Sequence, residues 1–300
     1  MRVFLTGATG FIGSAVAREL QAAGHQVIGM TRSDDGAKAL KAAGVEPHHA
    51  TLTDFDALKA GVAKADGVIH LAFIHDFGGE FSAYKENCEV DRRAVAAMGA
   101  VLAGSDRPFV VTSGITTSVP GELAVEDGVA ISSEFMPRAA SEEAANAAAQ
   151  VGANVSVVRL PQVHDTAKQG LVTPVIGISR AKGVSAYIGD GANRWPAAHI
   201  SDVARLYRLA LERAEPDAKY HAVAEEGVSA REIAEALGRR LKLPVVSLTP
   251  EQAPAHFGML AFFAGADMPA SSEQTKKVLG WAPTGSGLIA DLDRLELAKS

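Results

Sequence analysis

Three glycines at three-residue spacing constrain this chain more than any other feature. Thr6-Gly7-Ala8-Thr9-Gly10-Phe11-Ile12-Gly13 follows the apolar run Val3-Phe4-Leu5 and opens a helical pattern from Phe11 to Ala23, stopped by Gly24. A strand that turns at once into a helix needs a glycine where the backbone goes left-handed. It needs a second where a ligand phosphate must meet bare N–H groups, and a small third residue where helix packs on strand. The helix N-terminus then offers unpaired donors and a partial positive charge to an anion. No Gly-Lys-Ser/Thr follows, so a Walker-type phosphate loop is excluded. The turn reads as a nucleotide site.

The rest of the first half agrees. Strand-like runs at Gln26 to Thr31, Val45 to Ala50, Val68 to Ala72, Phe109 to Thr112 and Val155 to Leu160 alternate with helical patterns. Helices are expected over Asp34 to Ala43, with Ser33 as N-cap, over Phe81 to Ala103, and over the alanine-rich stretch Ala139 to Ala149. Such alternation predicts an α/β fold, a doubly wound parallel sheet of Rossmann type. On the long helix, Phe81, Tyr84, Cys88, Val95, Met98 and Leu102 form a core-facing stripe, so Cys88 is packing rather than chemistry. Beyond about Asp165 glycine and proline become frequent. Residues 1–165 are therefore expected to form the dinucleotide-binding domain. Residues 166–300 would form a smaller substrate-binding region, interleaved with the first as one continuous unit, with helices over Ser201 to Arg213 and Ser229 to Leu241, each opening on its serine as N-cap, and short strands at Tyr220 to Ala224 and Val245 to Leu248. Met259 to Ala266 would be a buried helix or a pocket wall.

Composition narrows the partners. A net charge of -6 disfavours binding to nucleic acid. A single cysteine, Cys88, allows no intramolecular disulfide and makes a structural zinc site a poor fit. No apolar run approaches the ~18 residues of a membrane span, and no signal segment is visible. A cytoplasmic enzyme with a small-molecule substrate, without membrane, nucleic acid or metal, is the expectation. His48-His49 lacks a third ligand nearby, and His70 lies within a strand and reads as structural.

Several ordered motifs together resemble the extended short-chain dehydrogenase/reductases, the NAD(P)-dependent epimerase/dehydratase family. They are Thr6-Gly7-x-x-Gly10-x-x-Gly13, Val68-Ile69-His70-Leu71-Ala72, Val157-Val158-Arg159-Leu160-Pro161, Gly189-Asp190-Gly191, Arg194-Trp195-Pro196, His199-Ile200-Ser201-Asp202-Val203-Ala204 and Leu279-Gly280-Trp281-x-Pro283. The resemblance spans nearly the whole chain and implies dimers through the long helix pair. It implies a cofactor contact set of Thr6, Gly7, Thr9, Gly10, Phe11, Ile12 and Gly13 in the turn, and Thr31, Arg32 and Ser33 after the second strand. Leu52 follows the third strand in that set, with Leu71, Ala72 and Phe73 after the fourth, Thr112 on the fifth, and Leu160, Pro161 and Val163 after the sixth.

The second strand ends Gly29-Met30-Thr31-Arg32-Ser33. An acid there would accept from the adenosine ribose and select NAD. Arg32 instead suits a 2′-phosphate, with Thr31 and Ser33 adding donors, so NADP(H) is expected over NAD(H). The other reading makes Arg32 a solvated loop cation, neutralised by Asp34 and Asp35.

The family's catalytic Tyr-x-x-x-Lys is missing. The four tyrosines, at 84, 187, 207 and 220, are followed four residues later by Cys88, Gly191, Leu211 and Ala224. Aligning Ser141 with the serine that precedes the family lysine puts Arg138 at the tyrosine position and Glu142 at the lysine position. Arg138 stays charged, so it can bind an anion or polarise a carbonyl but not shuttle a proton. Glu142 can accept from the nicotinamide ribose, or the two can form an ordinary i, i+4 pair. Ser113 and Thr116 supply hydroxyls after the fifth strand. His75, in Ile74-His75-Asp76-Phe77, is the first substitute acid–base group and His164 the second. The resemblance places Arg194, Trp195 and His199 on the substrate side with His75 and His164, Arg194 suiting an anionic or polar substrate. The leading reading is an NADP(H)-dependent oxidoreductase acting on a small carbonyl or alcohol. A non-catalytic NADP(H) sensor and a sugar-nucleotide epimerase or dehydratase are the alternatives.

Overall fold

The computed structural model describes residues 1–75, 81–115, 121–128 and 131–296. The first half runs β1 (Arg2–Thr6), α1 (Phe11–Ala22), β2 (Gln26–Thr31), α2 (Asp34–Ala42), β3 (Glu46–His49), α3 (Phe55–Ala63), β4 (Gly67–His70), α4 (Phe81–Leu102) and β5 (Ser105–Gly114). A single 3₁₀ turn, Pro137–Ala139, leads into α5 (Ala140–Gln150), followed by β6 (Ala153–Leu160). These strands, with β10 (Lys219–His221), form one seven-stranded sheet in the order β10-β6-β5-β4-β1-β2-β3, parallel throughout.

Period-two alternation divides each strand between two cores. Val3, Leu5, Ile69, Val110 and Val158 face α1 and α7 (Ile200–Arg213), where Leu20, Leu206 and Trp281 close the layer. Phe4, Val68, Phe109 and Val111 face the opposite side, against Leu58, Met98 and Leu102 of α3 and α4. Strands buried on both faces must be apolar without interruption, which is the pattern the sequence carries.

The second half adds β7 (Gln162–His164), α6 (Val172–Lys182), β8 (Ser185–Ile188), β9 (Arg194–His199), β11 (Glu225–Ser229), α8 (Ala230–Leu241) and β12 (Val245–Leu248). Short helices α9 (Ala253–Phe257), α10 (Ala261–Ala264), α11 (Glu273–Leu279) and α12 (Leu288–Asp293) complete it. Its strands form a three-stranded sheet, β11-β9-β7, and a β12-β8 pair, packed on a third apolar cluster that includes Val175, Trp195, Ile233 and Phe257.

Several local expectations change. The stripe on α4 begins at Cys88, because Phe81 is 53% exposed and Tyr84 only half-buried. β5 starts earlier than its apolar run suggests, with a register shift at Pro108, where a residue lacking an N–H is tolerated. His199, not Ser201, caps α7, its ring accepting from the Ser201 N–H. Met259 to Ala266 is not one buried helix. It breaks into a 3₁₀ turn and the short α10, leaving Phe262 66% exposed.

One buried carboxylate anchors the last segment. Asp202, on α7, accepts from the Thr284 and Gly285 backbone N–H groups at 3.0 and 2.8 Å, and from Arg205 at 2.6 Å. Its carbonyl accepts from the Trp281 indole at 2.9 Å. Asp202→Ala leaves two amides without acceptors and is expected to cost about 2–4 kcal/mol. Urea unfolding measures that loss, and limited proteolysis should show earlier cleavage between residues 282 and 296.

Candidate active site

The sheet order reverses between β1 and β4, so the loops leaving these strands diverge and open a crevice at their carboxyl ends. Gly7 lies on one side with φ +68°, and a Cβ there would sit 2.9 Å from the Ala72 nitrogen. Gly13 is tighter still, since a Cβ would come within 2.0 Å of the Gly7 carbonyl oxygen. The turn closes with a Gly10 N–H to Gly7 C=O bond of 2.9 Å, and no side chain caps α1. Its first N–H groups therefore face the crevice mouth, where Thr9 and Gly10 are exposed and Phe11 and Ile12 half-buried. These are the requirements for a dinucleotide pyrophosphate, and the residues present fit one.

Thr6 joins the two sides. Its hydroxyl oxygen accepts from the Leu71 and Ala72 N–H groups, both at 3.0 Å, and lies 2.8 Å from His70 Nδ1. With both lone pairs occupied, the hydroxyl must donate to His70. Nδ1 is then an acceptor, and Nε2–H donates to Asp91 Oδ1 at 2.9 Å. This hydrogen-bond pattern makes His70 a neutral Nε2–H imidazole.

Asp91 has no solvent exposure. Its second oxygen accepts from the Ser141 hydroxyl and from Arg138 NH1, the latter at 3.1 Å. Burial pushes the carboxyl up, but Arg138 and then His70 outweigh it and hold the pKa at about 2. Arg138 also donates to Ser141 and, through NH2, to the Thr112 carbonyl at 3.1 Å. Thr112 in turn donates to the His70 carbonyl at 2.6 Å and meets the Tyr207 hydroxyl at 2.7 Å. The guanidinium lies over the Phe73 ring, 4.4 Å from its centroid, and the Arg138 side chain keeps 18% of its surface open. Three donor contacts leave Nε–H and one NH2 hydrogen with no acceptor among the described residues.

His75 joins this corner from the loop after β4. Its ring packs edge-on against Phe73 with centroids 5.1 Å apart, and Nδ1 lies 3.2 Å from the Phe73 carbonyl. The residue retains exposed surface, yet its packed surroundings withdraw water and lower its pKa. The Phe73 carbonyl opposes that shift and Arg138 reinforces it. Ser113 and Thr112 are buried at the end of β5, Leu160 at the end of β6 and Pro161 after it are half-buried, and Leu71, Ala72 and Phe73 are half-buried after β4. Thr116 lies outside the described residues, as does Asp76.

Other residues are placed elsewhere. Glu142 does not face the crevice partners of Arg138, and the i, i+4 pair does not form, because Arg138 sits in the 3₁₀ turn before α5. Glu142 instead takes Arg159 in a two-pronged pair, with distances of 3.0 and 2.6 Å, and lies 3.5 Å from Lys219. Arg159 NH1 donates to the Glu126 carbonyl and to His221 Nε2, at 3.2 and 3.0 Å. Arg194 is likewise engaged. Its backbone N–H and guanidinium hold Asp267 at 2.7, 3.0 and 2.9 Å, which occupies the cation expected for an anionic substrate. Trp195 is buried, with its indole on the Phe263 carbonyl. Val163 and Leu52 are buried in the two main cores. His164 is fully buried, with Nδ1 2.8 Å from Asp291, and meets His199 edge-on at 5.8 Å.

At the end of β2, Thr31 is buried and Ser33 caps α2 by accepting from the Gly36 N–H. Arg32 is exposed and has no partner among the described residues. Asp34 and Asp35 do not neutralise it: Asp34 lies 3.9 Å from His49 and Asp35 pairs with Lys38 at 2.9 Å.

Sequence reasoning missed Asp91 and Tyr84 as parts of this corner. Asp91 fills the gap between Cys88 and Val95 on the α4 stripe, and a carboxylate on an apolar stripe is the signal that marks it. Tyr84, one turn before Cys88, feels the Arg138 charge. Burial nevertheless raises its phenol well above the usual value, and the Cys88 thiol is pushed up to about 11. Both stay protonated at neutral pH.

A parallel sheet with a switch point, a glycine cradle and an uncapped helix defines a dinucleotide-binding α/β protein. The NAD dependent epimerase/dehydratase family matches residues 3–224, and the chain belongs to that family. It is 46% identical to C2A9.02 of Schizosaccharomyces pombe, an uncharacterised protein, over 97% of this chain and 98% of that one. The fold resembles DesIV, a dTDP-glucose 4,6-dehydratase of Streptomyces venezuelae solved with NAD. That likeness has a TM-score of 0.78 and 19% identity, over 98% of this chain and 95% of that one. Human epimerase family protein SDR39U1, solved with NADPH, gives 0.74 and 21%, over 98% and 99%. Among the described residues no helix is long and apolar enough to cross a membrane, and no group of three or more His, Cys, Asp or Glu could hold a metal.

The Arg159 cluster generates a pH prediction. His221 Nδ1–H donates to the Ser271 carbonyl at 2.8 Å while Nε2 accepts from Arg159, so the ring is neutral. Burial and then Arg159 lower its pKa to about 4. An unfolded histidine takes up its proton near pH 6.5 and the folded one only near 4, so stability is lost as pH falls between them. Asp91 stays ionised across that window. His221→Gln keeps one acceptor and one donor but cannot titrate. Denaturation curves at pH 7, 5.5 and 4.5 should show a shallower pH dependence for this variant than for the wild type.

Proposed function

We propose that the protein is an NADP(H)-dependent oxidoreductase that interconverts a small carbonyl compound and its alcohol. The observation that carries this reading is Arg32, an exposed cation at the end of β2 with no partner among the described residues. It stands where an acid would be needed to accept from an unphosphorylated ribose. A guanidinium with free donors suits a 2′-phosphate by charge-assisted hydrogen bonds. The coarser assignment, a nicotinamide nucleotide in the Gly7 to Gly13 cradle, rests on the fit already described.

When bound, the nucleotide supplies or accepts the hydride. Thr6, through Leu71 and Ala72, fixes the backbone on the other wall of the crevice. Arg138 presents its two remaining N–H donors to a carbonyl oxygen and stabilises the negative charge that grows there. It takes the place of a phenol without moving a proton. His75, neutral at pH 7, accepts the alcohol proton in one direction and returns it in the other, directly or through water. Ser113 adds a hydroxyl at the strand end. Asp267 neutralises Arg194, which weighs against a diphosphate-bearing substrate and so against the epimerase alternative.

Fluorescence titration with NADPH and NADH, followed by an aldehyde and ketone screen, tests the reading. NADPH should bind at least tenfold more tightly, and Arg32→Ala should abolish the difference without weakening NADH. His75→Ala should lower kcat at least tenfold, and the wild-type alcohol oxidation should persist below the ordinary imidazole range and fall away only at more acid pH, as His75 protonates. Equal binding of the two nucleotides overturns the cofactor reading. NADPH binding without turnover of any carbonyl favours a non-catalytic sensor.

A further inference from the structure

We propose that Asp91 is a positioning residue that aims the Arg138 cation and ties its placement to the turn that receives the cofactor phosphates. The proposal rests on Arg138 acting as the polarising group. Asp91 is the only described carboxylate that contacts Arg138, and it does so with no exposed surface. A charge so deeply buried is tolerated only when paired and hydrogen-bonded on every side. Asp91 meets that condition through Arg138, Ser141 and His70.

The geometry gives the pair a direction. One Asp91 oxygen faces the guanidinium and the other faces His70. His70 accepts from Thr6, the last residue of β1, which leads directly into Gly7. The Thr6 oxygen in turn fixes Leu71 and Ala72, and Ala72 is the residue a Cβ on Gly7 would strike. Any adjustment of the Gly7 turn around a pyrophosphate therefore passes to His70, then Asp91, then Arg138, through direct hydrogen bonds. Without the carboxylate, Arg138 would keep its bonds to Thr112 and Ser141 but lose the charge that holds NH1. The planar fork would be free to swing off the Phe73 ring.

Four variants test this: Asp91→Asn, Asp91→Glu, Arg138→Gln and the double variant Asp91→Asn/Arg138→Gln. The measurements are kcat and KM for the best carbonyl, NADPH affinity, and the ¹⁵N-edited guanidinium signals of Arg138 with and without NADP⁺. Asp91→Asn should lower kcat at least tenfold while KM and NADPH affinity each change less than threefold. The double variant should be no slower than Arg138→Gln alone, because two residues acting as one unit are not additive. NADP⁺ should shift the Arg138 signals in the wild type and leave them unmoved in Asp91→Asn. If Asp91→Asn does not fold, Asp91→Glu keeps the charge and advances the carboxylate by one methylene. It should fold, with displaced Arg138 signals and reduced kcat.

A folded Asp91→Asn or Asp91→Glu with wild-type kcat overturns the proposal, as does a double variant whose loss is the product of the single losses. If the wild type turns over no carbonyl but NADP⁺ still moves the Arg138 signals in an Asp91-dependent way, the oxidoreductase reading fails and the positioning role stands. If NADP⁺ binds and the wild-type signals do not move, the positioning role fails. If neither nucleotide binds, both fail.

Discussion

A carboxylate with no access to water, paired with a guanidinium that still touches the crevice, organises this molecule's candidate site. Asp91 would be intolerable alone, because a buried unpaired charge costs several kcal/mol. Its three partners come from β4, from the 3₁₀ turn before α5 and from α5 itself. The demand for hydrogen bonds thus fixes the relative position of α4, α5 and two strand ends. The same demand settles the protonation of His70, because Thr6 has only one hydrogen to give and both its lone pairs are taken.

This arrangement differs in kind from a tyrosine–lysine pair. A phenol near a lysine moves a proton, whereas a guanidinium held by a carboxylate stays charged and offers only field and hydrogen bonds. Any proton must come from another group. His75 is packed against the same Phe73 ring that Arg138 covers, and burial, reinforced by the positive charge beside it, lowers its pKa and keeps the imidazole neutral at pH 7. In the proposed reaction the two residues would divide between them what one tyrosine does in the family at large.

The fold was legible because its determinants are local. Gly7, Gly10 and Gly13 answer backbone constraints within eight residues, and the continuous runs Val68-Ile69 and Val155 to Leu160 show that their strands are covered on both faces. The helix caps Ser33 and Ser229 were legible for the same reason. The site was legible only in part. Arg138 and His75 could be picked out, but their partners lie far along the chain. Asp91 is 47 residues from Arg138, and Asp267 is 73 from Arg194. Spacing rules therefore suggested an Arg138–Glu142 pair where tertiary structure gives each residue its own buried partner. Arg194 looked available because nothing near it in sequence announces Asp267. Asp91 is hard to read from sequence because the apolar members of its stripe dominate the pattern and its partners Arg138 and Ser141 lie far along the chain.

A continuous hydrogen-bond chain runs from the Thr6 hydroxyl through a neutral His70 to Asp91, which also accepts from Arg138. The most direct test is the ¹⁵N spectrum of the histidine-labelled protein at pH 7.5, with His70 assigned by its absence from His70→Gln. A single ring proton on Nε2 is expected, with Nδ1 showing the shift of an acceptor. A proton on Nδ1, or on both nitrogens, would contradict it, because Thr6 could not then donate to His70 and the chain would not be joined to the cofactor turn.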